Sequence, residues 1–174
     1  MQYYSKILRN MNEKMILGIG ETDIKLLEVL QDDASLSNQA LAERVFISPP
    51  TCLRRVKRLR DAGLIEREIA ILNPDKLAAA LGHGLTALVE ITLDQQGAEW
   101  QQAFETRVAQ DSAVQQCYRV SPGPDFVLVV HVASMPGYLA LAQRLFTSDA
   151  NVRNVKAFFS TKRVKFEPKV LLAL

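Results

Sequence analysis

LSNQALAERVFISPPTCLRRVKRLRDAGLIER, residues 36–67, carries two helical patterns separated by a short turn. Ser37 can N-cap the first, with Ala40, Leu41 and Val45 at inward spacing. Phe46-Ile47 turns the chain, and Ser48 is the second N-cap candidate. Pro49 follows at the first helical position, where a missing N–H costs nothing. The pattern runs to Ala62 and stops at Gly63, a residue suited to a left-handed cap. Two caps around a tight turn predict a helix-turn-helix.

At about 100° per residue, Leu53, Val56 and Leu59 fall on one side of the second helix, with Cys52 at its edge. That predicts the buried stripe. Thr51, Arg54 and Arg58 fall opposite, Arg55 and Lys57 lie on the flanks, and Arg60 snorkels past the stripe. Ser48–Ala62 holds five basic residues against one acidic residue, Asp61, a lopsided balance for an ordinary solvated face. Positive charge displaces DNA counterions, and Arg forks fit guanine edges in the major groove. The outward face therefore reads as a DNA-recognition surface.

The flanking chain fits that unit. Residues 1–20 are weakly patterned and expected to be a tail, with Met11 and Met15 as alternative starts. Thr22 or Asp23 can cap a supporting helix whose Ile24, Leu27 and Leu30 repeat at helical spacing. After Gly63, Leu64–Leu72 alternates well enough for one or two short wing strands. Residues 73–83 read as a linker with a helical piece, Lys76–Leu81.

A different pattern begins at Leu85. Leu85, Ala87, Val89, Ile91 and Leu93 alternate as a strand, and Trp100, Ala103, Phe104 and Val108 mark a helix. Val114–Val120 and Phe126–Ala133 are strands around a Ser-Pro-Gly-Pro-Asp turn. A second helix starts at Pro136, and Val155–Phe166 is the last strand. The order βαββαβ predicts a ferredoxin-like domain over 84–166, followed by a 167–174 tail. The fold class is thus α+β: a winged helix-turn-helix over 21–72, then this second domain. Two helices cover one face of a four-stranded sheet. FVLVVHVA is apolar on both faces except at His131, so the other face needs a cover, and a second copy of the chain supplies one.

Composition narrows the function. The 174 residues carry a net charge of only +2. Residues 1–68 hold 11 basic and 10 acidic side chains against 10 and 9 in 69–174, so DNA affinity must come from local clustering. Cys52 and Cys117 fall in different predicted domains, without Cys-x-x-Cys or His neighbours, and read as reduced small hydrophobes rather than metal ligands. The longest apolar run, Phe126–Val130, is too short to span a bilayer, and no signal peptide is evident, so a cytoplasmic location is expected. No cofactor, nucleophile–base pair or Gly-rich phosphate loop is found.

The run ISPPTCLRRVKRLRDAGLIER resembles the recognition-helix signature of the Lrp/AsnC family of transcription regulators, and the likeness extends from about Glu21 to the C-terminus. Phe46 departs from it, standing where the family more often has Gly. The resemblance implies that Thr51, Arg54, Arg55 and Arg58 dock in the major groove with Lys57 beside them, while Ser48 and nearby amides anchor phosphate. It also implies an amino-acid-binding βαββαβ domain with a Val-Ser/Thr-Gly-x-x-Asp-aromatic loop. Here that loop is Val120-Ser121-Pro122-Gly123-Pro124-Asp125-Phe126, with Pro122 where the family usually has Gly. Ser121, Gly123, Asp125, Met135, Tyr138, Phe158, Phe159 and Ser160 are then the effector candidates. A carboxylate such as Asp125 can hold an α-amino group; the same residue can equally cap its own turn. The family's assembly implies homodimers that associate further, often to octamers. Two other classes stay open on sequence: a sensor module without DNA binding, and an enzyme like the sirohaem decarboxylases, whose Arg-x-His-x-Tyr-Asn stretch is replaced here by Ser-Pro-Gly-Pro-Asp-Phe.

Overall fold

The computed structural model describes residues 18–82 and 84–172. The expected tail up to residue 17, and His83 of the linker, lie outside the described residues. The chain forms two compact units. One runs to Ala70 and takes in the chain again from Phe166; the other is Ile71–Lys165.

In the first unit, α1 (Glu21–Asp32), α2 (Asn38–Arg44) and α3 (Pro49–Asp61) bury Leu26, Leu41, Ala42, Val45, Cys52, Val56 and Leu59 against one another. Ser37 caps α2 as expected, its hydroxyl accepting from the Ala40 N–H. Both later helices end in the same way. At the end of α2 the Ile47 N–H reaches the Ala42 carbonyl and the Phe46 N–H that of Glu43. At the end of α3, Leu64 reaches Leu59 and Gly63 reaches Arg60. Each is a Schellman closure around one left-handed residue, Phe46 at φ +57° and Gly63 at φ +70°.

Two local expectations are corrected. The N-cap of α1 is Gly20 rather than Thr22 or Asp23; Asp23 sits a turn inside and reaches back to the Gly20 N–H at 3.0 Å. The segment after Gly63 bends at Leu64-Ile65 and runs on without regular structure; no strand pairing forms there among the described residues. Its alternation supplies β-propensity without a neighbouring strand to bond. The stretch from Phe166 returns to α1. Gln31 brackets Val170, donating from Nε2 to its carbonyl (3.1 Å) and accepting its N–H (2.6 Å), and Lys169 pairs with Asp32.

The second unit opens with α4 (Pro74–Leu81), capped by Asn73 and closed by Gly82 at φ +73°. The elements β1 (Leu85–Leu93), α5 (Ala98–Ala109), β2 (Val114–Arg119), β3 (Phe126–Val132), α6 (Met135–Ala142) and β4 (Val152–Phe159) follow. They form an antiparallel sheet of order β2-β3-β1-β4, the βαββαβ topology expected. One turn of π-helix, Gln143–Thr147, extends α6 and brings both Leu145 and Phe146 into the core. Ala87, Val89, Ile91, Phe126, Leu128 and Val130 face the helices, where Phe104 meets Phe126 with ring centroids 4.8 Å apart. Of the four residues that mark α5 in the sequence, Phe104 and Val108 are buried, while Trp100 and Ala103 stay at the helix surface. The last strand begins at Val152 and ends at Phe159, so Lys162, Arg163 and Lys165 lie beyond it.

The opposite sheet face is open and partly apolar. Register aligns Leu88 with Val129 on one side and Phe158 on the other, and Tyr118 with Val127. Leu88, Tyr118 and Phe158 are each exposed.

Phe126→Ala removes a wholly buried ring and should cost about 3–5 kcal/mol. The single tryptophan, Trp100, lies on α5 of this unit. Urea unfolding followed by its fluorescence should show an earlier midpoint; an unchanged midpoint would contradict the assigned core.

Candidate functional site

Helix α3 lies with Cys52, Val56 and Leu59 inward, all at most 5% exposed, while Leu53 is 60% exposed. Cys52 is therefore near the centre of the buried stripe rather than its edge, and the helix is rotated by roughly 30° from the orientation its leucines suggest. The rotation puts Arg54 at the middle of the outward face, between Lys57 and Leu53 on one side and Thr51 and Arg58 on the other. Arg54 and Lys57 are exposed.

Arg55 and Arg58 have a different setting. Arg55 Nη1 donates to Asp23 Oδ1 at 2.9 Å, and Arg58 Nη2 to Asp23 Oδ2 at 2.6 Å. Asp23 is completely buried. Its carboxylate thus joins the first turn of α1 to the flank of α3, with the Gly20 N–H as third donor. Burial alone would raise the Asp23 pKa. The Gly20 N–H and the two guanidinium groups outweigh it and hold the carboxyl below the usual range. Arg58 also reaches the Gly18 carbonyl, at 3.4 Å. Asp23 was legible only as a cap; its partners stand 32 and 35 residues away, beyond any local pattern.

Ser48 precedes Pro49 as expected, but its hydroxyl does not cap α3; it bonds Thr51 Oγ1 at 2.9 Å. Asn38 on α2 donates to the Pro49 carbonyl and ties the two helices across the turn. Arg54, Arg55 and Arg58 line a half-open recess on this side.

The effector candidates form no single cluster. Asp125 is buried, and its Oδ2 accepts the Leu93 N–H at 2.7 Å while its own N–H bonds the Ile91 carbonyl. It closes one end of the β1–β3 ladder, with Ser121 and Gly123 exposed beside it. Met135 and Tyr138 begin α6 at the far end of β3, a strand length of about 20 Å away. Phe159 and Ser160 lie at that far end too: Phe159 pairs with Ala87 and stacks edge-on against buried Tyr138 at 5.0 Å, and the Ser160 N–H bonds the Thr86 carbonyl. Phe158, one residue earlier, emerges on the open sheet face. No group of three or more His, Cys, Asp or Glu side chains is arranged to hold a metal among the described residues. No helix among them is long and apolar enough to cross a membrane.

Asp23→Asn should lower the stability of the first unit by about 2 kcal/mol, by weakening two charged hydrogen bonds. A depressed carboxylate contributes stability that is complete above its unfolded pKa of about 4 and is lost as pH falls through the folded value. Unfolding followed by helical circular dichroism down to about pH 2 should therefore show a shallower acid loss in Asp23→Asn than in the parent. Equal acid slopes would remove Asp23 from the account.

Known proteins place these features. Residues 20–66 match the family model for winged helix-turn-helix DNA-binding, and residues 86–170 that for the Lrp/AsnC ligand binding domain. The DNA-binding transcriptional activator DecR of Escherichia coli is 35% identical over 85% of this chain and 95% of its own. The leucine-responsive regulatory protein of Rhizobium meliloti is 36% identical over 82% of this chain and 89% of its own. A transcriptional regulator from Neisseria meningitidis, solved as a complex with L-Met, superposes with a TM-score of 0.75 at 28% identity, covering 88% of this chain and 96% of that one. These relatives are regulators rather than enzymes. The chain belongs to the Lrp/AsnC family of DNA-binding transcription regulators.

Proposed function

We propose that α3 enters the major groove with Arg54 at the centre of the contact, Thr51 and Lys57 beside it, and Ser48 with the nearby backbone amides on a phosphate. The observation that carries this is the pairing within the basic cluster: Arg54 and Lys57 are exposed, whereas half-buried Arg55 and Arg58, itself still exposed, both bond buried Asp23. In this reading Arg55 and Arg58 set the rotation of the helix and add positive potential from its flank.

We further propose that the open sheet face, with Leu88, Phe158 and Tyr118, is covered by a second copy, and that dimers associate further, to an octamer. A two-fold pair of α3 helices then reads two half-sites about one DNA turn apart. The effector is an amino acid, the class seen as L-Met in the Neisseria meningitidis relative. Asp125 with Ser121 and Gly123 stands some 20 Å along the sheet from Met135, Tyr138 and Ser160. A common site therefore draws these two groups from different protomers, which links effector binding to assembly and so to the spacing of the α3 helices. The protein works in the cytoplasm, where the DNA is.

Fluorescence anisotropy on a duplex enriched from a random library by the parent protein tests the reading. Arg54→Ala should cost about 1–3 kcal/mol and relax preference at one base pair, whereas Lys57→Ala should weaken binding to all sequences and reduce the salt slope by about 1. If both variants bind as the parent does, the assigned face is wrong. For the effector, Asp125→Asn keeps an acceptor for the Leu93 N–H and removes the charge. Calorimetry against a panel of free amino acids should lose the heat seen with the parent; retained binding would exclude Asp125 as the amine partner.

A further inference from the structure

The turn between α2 and α3 contains an aromatic residue that the fold itself does not use. Phe46 occupies the left-handed position of the Schellman closure at φ +57° and is 94% exposed. An L-residue with a Cβ is strained there, and glycine is not. The same domain makes the same closure at the end of α3 with Gly63 at φ +70°, so the motif needs no side chain. Its neighbours are the ones that pack: Val45 is buried, and Ile47 lies against the core. They and the two closing hydrogen bonds hold Phe46 outward in a fixed place, two residues before Ser48 at the start of α3.

We propose that Phe46 is a DNA-contacting residue that docks its ring on the apolar edge of the duplex, formed by thymine methyl groups or deoxyribose C–H at the border of the major groove. DNA is the occupant the setting favours. The ring follows Arg44 and precedes the N-terminal turn of the helix that carries Arg54 and Lys57, and it is the N-terminal part of a recognition helix that meets base edges. Phe is a side chain that makes apolar contact with the thymine methyl. The strain is thus retained at the one left-handed position of this domain that borders the start of α3. The inference rests on α3 as the reading helix, proposed above.

The test uses the full chain and a duplex enriched from a random library by the parent protein. Phe46→Gly should raise Tm, because it relieves the backbone, yet weaken DNA binding about tenfold. Phe46→Leu, which keeps an apolar side chain in the strained position, should retain most of the affinity without the gain in Tm. Duplexes with uracil in place of thymine separate the two sources of apolar contact. If the parent loses affinity on them and Phe46→Gly loses none, the ring sits on methyl groups. If the parent is indifferent while Phe46→Gly is still weak, it sits on deoxyribose. Higher Tm with unchanged affinity would overturn the proposal, as would a loss traced by sedimentation to a changed assembly state. Weak binding by Phe46→Gly beside normal binding by Arg54→Ala would keep the Phe46 contact and remove Arg54 as the reader.

Discussion

One buried carboxylate sets the orientation of the DNA-binding unit. Asp23 lies in the first turn of α1, where the helix dipole and the Gly20 N–H favour a negative charge, and it accepts from two arginines of α3. Taking a carboxylate out of water is costly, and the attraction of its partners roughly offsets that cost. The arrangement adds little to net stability relative to an apolar contact, but it selects one rotation of α3. A rotation that left Asp23 buried without its arginines would be strongly disfavoured.

That selection decides which basic groups are available. The apolar stripe of α3 is compatible with more than one rotation, since Leu53, Cys52, Val56 and Leu59 can all be buried residues. With Asp23 in place, Cys52 takes the centre, Leu53 is left at the surface, and Arg54 falls at the middle of the outward face by helical spacing. The second unit is subject to a similar constraint from β alternation. Successive residues of β4 point to opposite faces, so Phe159 stacks on Tyr138 under the helices while Phe158 faces away from them.

The features legible in the sequence are those fixed by local periodicity. The two helices around Phe46-Ile47, the alternation of Leu85–Leu93 and the βαββαβ order follow from spacing alone, and the structure bears them out. Features that depend on distant partners were not legible. Leu64–Leu72 has the alternation of a strand but no strand beside it among the described residues. The Gln31–Val170 bracket joins residues 139 apart, so the return of the C-terminal stretch to α1 leaves no local signature. The lysines and arginine after Ser160 extend a β-like pattern past the point where β1 can pair with it. The effector candidates rest on resemblance, and spacing alone does not reveal that their register positions lie at opposite ends and faces of the sheet.

Guanine methylation interference on the enriched duplex tests the central claim most directly, because it reports which arginine meets a base. Methylation at N7 of the guanine read by α3 should block the parent protein. The Arg54→Ala variant should become indifferent to that methyl group, while Arg58→Ala should stay blocked by it. If Arg58→Ala instead becomes indifferent and Arg54→Ala remains blocked, then Arg58 leaves Asp23 to read the base, and the carboxylate does not set the reading face.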